Sequence, residues 1–234
     1  MSRTNAPHGR VGRPPVTSRT QILAAARRLI DRDGWEKLTI RRLAAEIGIG
    51  ATTLYHHVQN KEDLLFLLIQ EYAEQIPHPG LPSEPRDRII TAITAIHDAL
   101  ADWPWAADVL TAHGFLVRLG DSALWLVETI VAGAIDYGCT PEQAVYVVRN
   151  LWYYTVGEIL ARAHSARRRA DDEQPADRDA LSGILDASQV PRLASLSDQW
   201  SALASRDDYH RGLQAFVDGL LAQATAATPP RDKA

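Results

Sequence analysis

The alternation of apolar and polar residues predicts a chain built of helices, and the pattern is most distinctive near the N-terminus. Apolar residues recur at helical spacing over Ile40 to Ile47, and Thr39 offers a hydroxyl to cap the start of that helix. Gly48 permits a left-handed turn, and a second short helix anchored by Leu54 and Val58 follows. This arrangement predicts a helix-turn-helix unit.

The outward face of the second short helix carries methyls, hydroxyls and an aromatic ring, which suit base edges and phosphates in a major groove. Its residues are Ala51, Thr52, Thr53 and Tyr55, with His56 or His57 beside them. An ordinary helical hairpin in an all-α core would satisfy the same apolar spacing. The sequence of this segment alone therefore leaves two interpretations open.

The distribution of charge favours DNA binding over a plain hairpin. Residues 1–60 hold ten Lys and Arg against four Asp and Glu, a net charge of +6. The remaining 174 residues hold fifteen against twenty-five, a net charge of −10. A basic head on an acidic body is typical of a protein whose partner is a polyanion such as DNA.

Four stretches carry a likeness to a known family: Leu38-Thr-Ile-Arg-Arg-Leu-Ala, Gly48, Thr53-Leu-Tyr-His-His-Val and Asn60-Lys-Glu-Asp-Leu-Leu. Together they make residues 19–72 resemble the TetR family of bacterial transcriptional regulators, and a weaker likeness to its tetracycline-repressor branch continues through residues 115–128 and 146–160. The resemblance implies an all-α protein with a three-helix helix-turn-helix DNA-binding head and a larger helical domain for ligand binding and dimerisation. It also implies a homodimer that binds a palindromic double-stranded DNA operator and releases it when a small-molecule effector enters the body.

The same resemblance implies individual DNA contacts. We expect sequence readout from the guanidinium of Arg41 and from the surface of the second short helix. We expect phosphate contacts from Thr39, His57 and Lys61. The expected DNA-binding residues are Thr39, Arg41, Ala51, Thr52, Thr53, Tyr55, His57 and Lys61.

Changes in composition divide the chain into four parts. We predict a flexible basic arm at 1–17, a DNA-binding domain with its connecting helix at 18–76, a ligand-binding and dimerisation domain at 77–226, and a disordered tail at 227–234. The main boundary rests on the Pro- and Gly-rich break that begins at Pro77. Arg13 in the arm is compatible with a minor-groove contact or with a merely solubilising tail.

Long helices are predicted in the body. One is expected over 121–137 with Leu124, Val127, Val131 and Ile135 inward. A helix from Pro141 to about His164 and a last helix over about 207–223 are more apolar than the helices of one subunit are expected to cover. We therefore predict that these two helices join a homodimer, with Phe216 and Leu220 in the interface.

Aromatic and histidine side chains are concentrated where the body helices should meet, which is typical of a mostly apolar pocket. In the tetracycline-binding members of the family, the drug arrives as a magnesium chelate held by a histidine that His113 matches. The family's acidic magnesium ligand falls on Ala161, and its amide falls on Ile130. We therefore expect an apolar or aromatic effector without metal or other cofactor. The predicted ligand-binding residues are Ile96, His113, Phe115, Val127, Val148 and Trp152.

Other classes of function are disfavoured by the sequence. It has no Gly-rich phosphate loop and no nucleophile elbow, which argues against an enzyme. A single cysteine, the lack of an apolar leader and the lack of a run of eighteen apolar residues predict a soluble cytoplasmic protein with no membrane partner. The remaining alternative is a DNA-binding regulator without a small-molecule ligand, constitutive or controlled by a protein partner, which a filled core would favour.

Overall fold

A computed structural model describes residues 18–76, 78–113, 120–171, 185–206 and 208–226, with the side chains of 112–113, 168–171 and 224–226 excepted. All regular secondary structure within these ranges is helical, which confirms the all-α prediction. The chain divides into two compact units between Leu68 and Ile69. The predicted boundary at Pro77 lies further along the chain, and the predicted arm and tail lie outside the described residues.

The first unit contains three short helices and the start of a fourth. They are α1 (Arg19–Asp33), a 3-10 turn (Trp35–Lys37), α2 (Ile40–Ile47), α3 (Ala51–Tyr55) and α4 (Lys61–Ala73), which runs across the division into the second unit. Ser18 caps α1 in a capping box with Gln21, and the Asn60 side chain accepts the backbone N–H of Asp63 at 2.8 Å at the start of α4. Leu43, Leu54 and Leu64 are fully buried beneath these helices.

The turn between α2 and α3 has the backbone that the sequence predicted. Thr39 Oγ1 accepts the N–H of Arg42 at 3.2 Å, and Gly48 takes the left-handed conformation with φ 77° and ψ 30°. The N–H of Ile49 then donates to the carbonyl of Ala44 at 3.0 Å, which closes the end of α2 as a Schellman motif. The helix-turn-helix prediction is confirmed.

The second unit is built on four long helices with shorter ones between them. Its helices are α5 (Pro85–Ala101), α6 (Pro104–His113), α7 (Asp121–Tyr137), α8 (Pro141–Asp171), α9 (Pro191–Ala194), α10 (Ser197–Ala204) and α11 (Tyr209–Ala226). The core lies between α5, α7, α8 and α11 and includes Ile89, Ile130, Leu151 and Leu213. α8 continues past its predicted end near His164, because the Ala- and Arg-rich residues that follow are good helix formers.

The inward face predicted for α7 is partly wrong. Leu124 and Ile135 are 41% and 43% exposed, whereas Leu126, Ile130 and Ala134 are buried. α7 is apolar on nearly all sides, so its periodicity does not identify one face. The neighbouring helix decides the orientation instead.

Close packing of α5 against α7 determines which face of α7 is buried. A Cβ placed on Gly133 would lie 2.7 Å from Ile89 Cγ1 and 3.0 Å from the carbonyl oxygen of Pro85. Only a residue without a side chain permits this approach, so Gly133 fixes which face of α7 turns toward α5.

The prediction that Leu220 lies in a subunit interface is also wrong. Leu220 is 5% exposed within a single chain and belongs to the core between α11, α5 and α8. Phe216 packs on Tyr154 of α8, with ring centroids 5.1 Å apart. The exposed residues of α11 include two small ones, Ala215 and Gly219.

None of the helices in the described part of the chain is both long and apolar enough to span a lipid bilayer.

Candidate DNA-binding face and ligand cavity

The helix-turn-helix presents most of the predicted readout residues to solvent. Thr52, Thr53 and Tyr55 are exposed on α3, and the Tyr55 side chain is 54% exposed. Leu54 between them is fully buried and fixes α3 against the core, while Ala51 is half-buried. The outward surface of α3 is therefore a polar and aromatic strip on a rigid base, as major-groove readout requires.

Two of the predicted phosphate contacts are free to act in that role. The oxygen of the Thr39 hydroxyl accepts the capping hydrogen bond, so its O–H can donate to a phosphate oxygen. Thr39 and His57 are both exposed.

Lys61, the third predicted phosphate contact, is held more firmly by its own domain. Its Nζ donates to the carbonyl of Glu36 at 3.0 Å and lies 4.9 Å from the centroid of the Trp35 ring. Burial lowers the pKa of this amine, and the charge of Glu36 opposes that shift. Only the N–H groups of Lys61 that point away from Glu36 can reach a phosphate.

The structure separates two adjacent arginines that the sequence presents alike. The Arg42 guanidinium donates to Asp33 Oδ2 at 2.5 Å and to the carbonyl of Lys37 at 2.9 Å, so it braces α2 against α1. Arg41 is exposed and forms no ion pair with any residue that the structure describes. Arg41 is thus the guanidinium available to a base edge.

The second unit holds an apolar cavity between α5, α6, α7, α8 and the end of α4. Its volume is about 60 Å³. Among the described lining residues, polar side-chain atoms are limited to the hydroxyl of Tyr72 and the indole nitrogens of Trp103 and Trp152. Such a lining favours a neutral apolar molecule.

Four of the predicted ligand-binding residues line this cavity: Ile96, Val127, Val148 and Trp152. His113 is the last residue of α6, but its side chain lies outside the described residues, as does all of Phe115. Ile130, which stands where the tetracycline-binding members have an amide, forms part of the apolar wall.

Ala161 faces a separate cleft between α8 and α11. No cluster of three or more His, Cys, Asp or Glu side chains within the described ranges could hold a metal ion.

Sequence reasoning missed the contribution of α4 to the cavity. Ile69, Tyr72 and Ala73 of α4 line it, as does Ile76 just beyond the end of the helix. In the sequence, these four residues have the i, i+3, i+4, i+7 spacing that is typical of one helical face. The Tyr72 ring stacks on Trp103, with centroids 4.1 Å apart and planes 22° apart. The i, i+3, i+4, i+7 pattern could have identified this face before the structure.

These features define a helix-turn-helix DNA-binding protein with an apolar cavity in a separate helical unit. Residues 22–68 match the family model "Bacterial regulatory proteins, tetR family", and residues 79–224 match "Tetracyclin repressor-like, C-terminal domain". The chain belongs to the TetR family of bacterial transcriptional regulators.

Curated relatives and solved structures resemble the chain over most of its length. An HTH-type transcriptional regulator of Saccharopolyspora erythraea is 30% identical over 90% of this chain and 87% of its own. The HTH-type transcriptional repressor DrrR1 of Streptomyces coeruleorubidus is 28% identical over 89% of this chain and 79% of its own. The structure of the Streptomyces coelicolor protein ActR with actinorhodin is similar with a TM-score of 0.70, at 25% identity over 92% of this chain and 100% of that chain.

Proposed function

We propose that this protein is a repressor that binds a palindromic operator as a homodimer and releases it when a neutral apolar or aromatic molecule occupies the cavity. The observation that carries the proposal is the cavity lining, which is aliphatic and aromatic with only three polar side-chain atoms among the described residues. A filled core would favour the alternative of a regulator without a ligand. The structure of ActR with actinorhodin, an example of a similar fold with a bound small molecule, adds support.

α4 offers a direct route from the cavity to the DNA-binding head. Leu64, Leu65 and Leu68 of this helix are buried in the first unit, and Tyr72 and Ala73 line the cavity in the second. One continuous helix therefore contributes to both. A ligand that binds one arrangement of the cavity wall better than another would shift the population of α4 positions, and with it the spacing of two heads.

Exposed apolar side chains on α8 support the homodimer. Val145, Tyr146 and Tyr153 are 65%, 44% and 60% exposed in the single chain. Large apolar side chains exposed on one side of a helix are consistent with a surface that another chain covers. A second copy gives two reading heads, as a palindromic site requires.

Selection from a random pool of DNA duplexes tests the DNA-binding half of the proposal. We expect enriched sequences to contain two inverted half-sites about one helical turn, roughly 10 bp, or a multiple of it apart. The affinity should fall steeply with salt, because phosphates are neutralised. Enrichment of single, unpaired half-sites would contradict binding as a dimer.

A further inference from the structure

The ring stack between Tyr72 and Trp103 occupies a particular place in the cavity wall. Tyr72 lies in the last turns of α4, and Trp103 is the single residue between the C-cap of α5 and the first residue of α6. Both rings line the cavity. Trp103 also contacts Trp105, with centroids 5.6 Å apart, but Trp105 does not line the cavity.

An open cleft of about 420 Å³ adjoins the cavity on the side of Tyr72. Tyr72, Ile76 and Ala99 line both the cleft and the cavity. Between the two spaces the wall is therefore one side chain thick. A molecule that passes from the cleft into the cavity must move one of these shared side chains, of which Tyr72 is the largest.

The cavity is too small for a large aromatic ligand in this arrangement. A volume of about 60 Å³ is well below the roughly 150 Å³ of an engineered apolar cavity that binds benzene. The indole of Trp103 fills the adjacent space against Tyr72. Removing that indole from the stack would enlarge the cavity by the volume of a fused two-ring system and leave one face of Tyr72 without a partner.

We infer that Trp103 determines the ligand specificity of this cavity by filling the space against Tyr72, and that planar neutral molecules with fused aromatic rings bind by replacing the Trp103 indole on the face of Tyr72. The inference rests on the proposed ligand-binding function and names the ligand class. The ligand regains the ring stack that the protein gives up, so the exchange costs little for a flat aromatic molecule. A bulky aliphatic molecule cannot regain it and is disfavoured. Tyr72 lies on α4, so the exchange acts on the helix that enters the DNA-binding head.

Calorimetric titration of the full-length protein with toluene and naphthalene tests this exchange. Both compounds need more room than the unfilled space offers, but the second fused ring of naphthalene requires more of the space that the Trp103 indole occupies. In Trp103→Ala no displacement is needed, so the ratio of the toluene Kd to the naphthalene Kd should rise about 2- to 10-fold. Tyr72→Leu should lower the same ratio, because it removes the stacking partner, and Tyr72→Phe should leave the ratio unchanged.

Trp105→Ala is the matched control, since it removes a neighbouring indole that contacts Trp103 without lining the cavity. An equal change of the ratio in Trp103→Ala and Trp105→Ala would overturn the inference, as would no change in either. A crystal structure of the wild-type protein with naphthalene provides a readout that needs no variant. Trp103 displaced from Tyr72 supports the exchange, and Trp103 still stacked on Tyr72 beside bound naphthalene overturns it. If neither compound binds the wild-type protein, the ligand-binding function fails together with the exchange.

Discussion

Arg41 and Arg42 have the same side chain and neighbouring positions but different surroundings. Arg42 is held by Asp33 and by the carbonyl of Lys37, whereas Arg41 projects into solvent. The guanidinium of Arg41 can therefore approach guanine with both of its donor groups, as specific major-groove contacts do.

We predict that Arg41→Ala weakens operator binding by roughly 1–3 kcal/mol and relaxes preference at one base pair, because a bidentate contact to guanine is lost. Its thermal stability should stay unchanged, since the side chain is exposed. Arg42→Ala is the comparison, and it should lower the melting temperature because it removes the bond between α2 and α1. Binding assays against single-base operator variants decide the matter. An Arg41→Ala protein that loses affinity equally for every sequence is inconsistent with base readout.

The sequence could identify the types of residue on the candidate DNA-binding face, but not which of their side chains are already held by other parts of the protein. Thr39, Thr53 and Tyr55 follow from local spacing in a short motif. The hydrogen bond from Lys61 to the carbonyl of Glu36 joins residues far apart in the chain, so no local sequence pattern predicts it. Tertiary contacts of this kind decide which charged side chains remain available to DNA.

At the element scale, helix ends marked by a capping box or a glycine were predictable, whereas the end of α8 and the buried faces of the helices were less so. The capping boxes at Ser18 and at Thr140 and the left-handed glycines at 48 and 138 depend on residues within one turn, which sequence displays directly. The buried face of α7 depends on how closely α5 packs against it at Gly133. The apolar periodicity of α7 alone does not show where α5 packs.

Replacing Gly133 by Ala should destabilise the second unit by about 1–3 kcal/mol, because the added methyl overlaps Ile89 and the backbone of Pro85. Chemical denaturation of the purified variant measures the loss. Gly80→Ala, at an exposed position outside the helices where a Cβ meets no atom within 4 Å, should change stability much less. Equal stability of Gly133→Ala and the wild-type protein would show that α5 and α7 are farther apart than described here.

An ion pair between the start of α5 and α11 gives a pH-dependent contribution to stability. Arg86 contacts Asp218 at 2.5 Å and 3.0 Å, and this hydrogen bonding holds the pKa of Asp218 below its ordinary value. A depressed carboxyl pKa stabilises the folded state above the unfolded value of about 3.9, and that stability is lost as pH falls through the lower folded value. Asp218→Asn should therefore melt at a lower temperature than the wild-type protein at pH 7, and the difference should vanish in strong acid. A difference that persists unchanged at low pH would contradict this origin.

At the scale of the whole molecule, the proposed dimer requires a partner chain over the exposed sides of α8 and α11. Gly157 of α8 and Gly219 of α11 are both exposed, and a Cβ at either position meets no atom within 4 Å in the single chain. Gly157→Glu and Gly219→Glu should therefore fold as protomers but fail to associate, because a charge would be buried against the partner. Sedimentation at several concentrations distinguishes monomer from dimer, with Ala101→Glu as an exposed control. Intact dimers in both glycine variants would exclude this interface.

The two-part organisation followed from sequence because charge and motif separate a basic head from an acidic body. An apolar pocket was predicted, but the sequence could not show that its residues enclose a space. Ile96, Val127, Val148 and Trp152 are apolar residues of a kind found in any core, and only packing shows that they surround a space.

If this protein is a repressor relieved by a ligand, occupying the cavity must weaken DNA binding. To measure this, a selected palindromic duplex is titrated with the protein, with and without a neutral aromatic compound that binds the wild-type protein but not Trp152→Ala. Saturating compound should weaken the wild-type affinity about 5- to 150-fold, the range of a typical allosteric coupling. Trp152→Ala should bind the duplex as tightly as the wild-type protein does without compound, and should not respond to it. A duplex affinity that stays unchanged while calorimetry shows the wild-type cavity saturated would rule out repression relieved by a ligand.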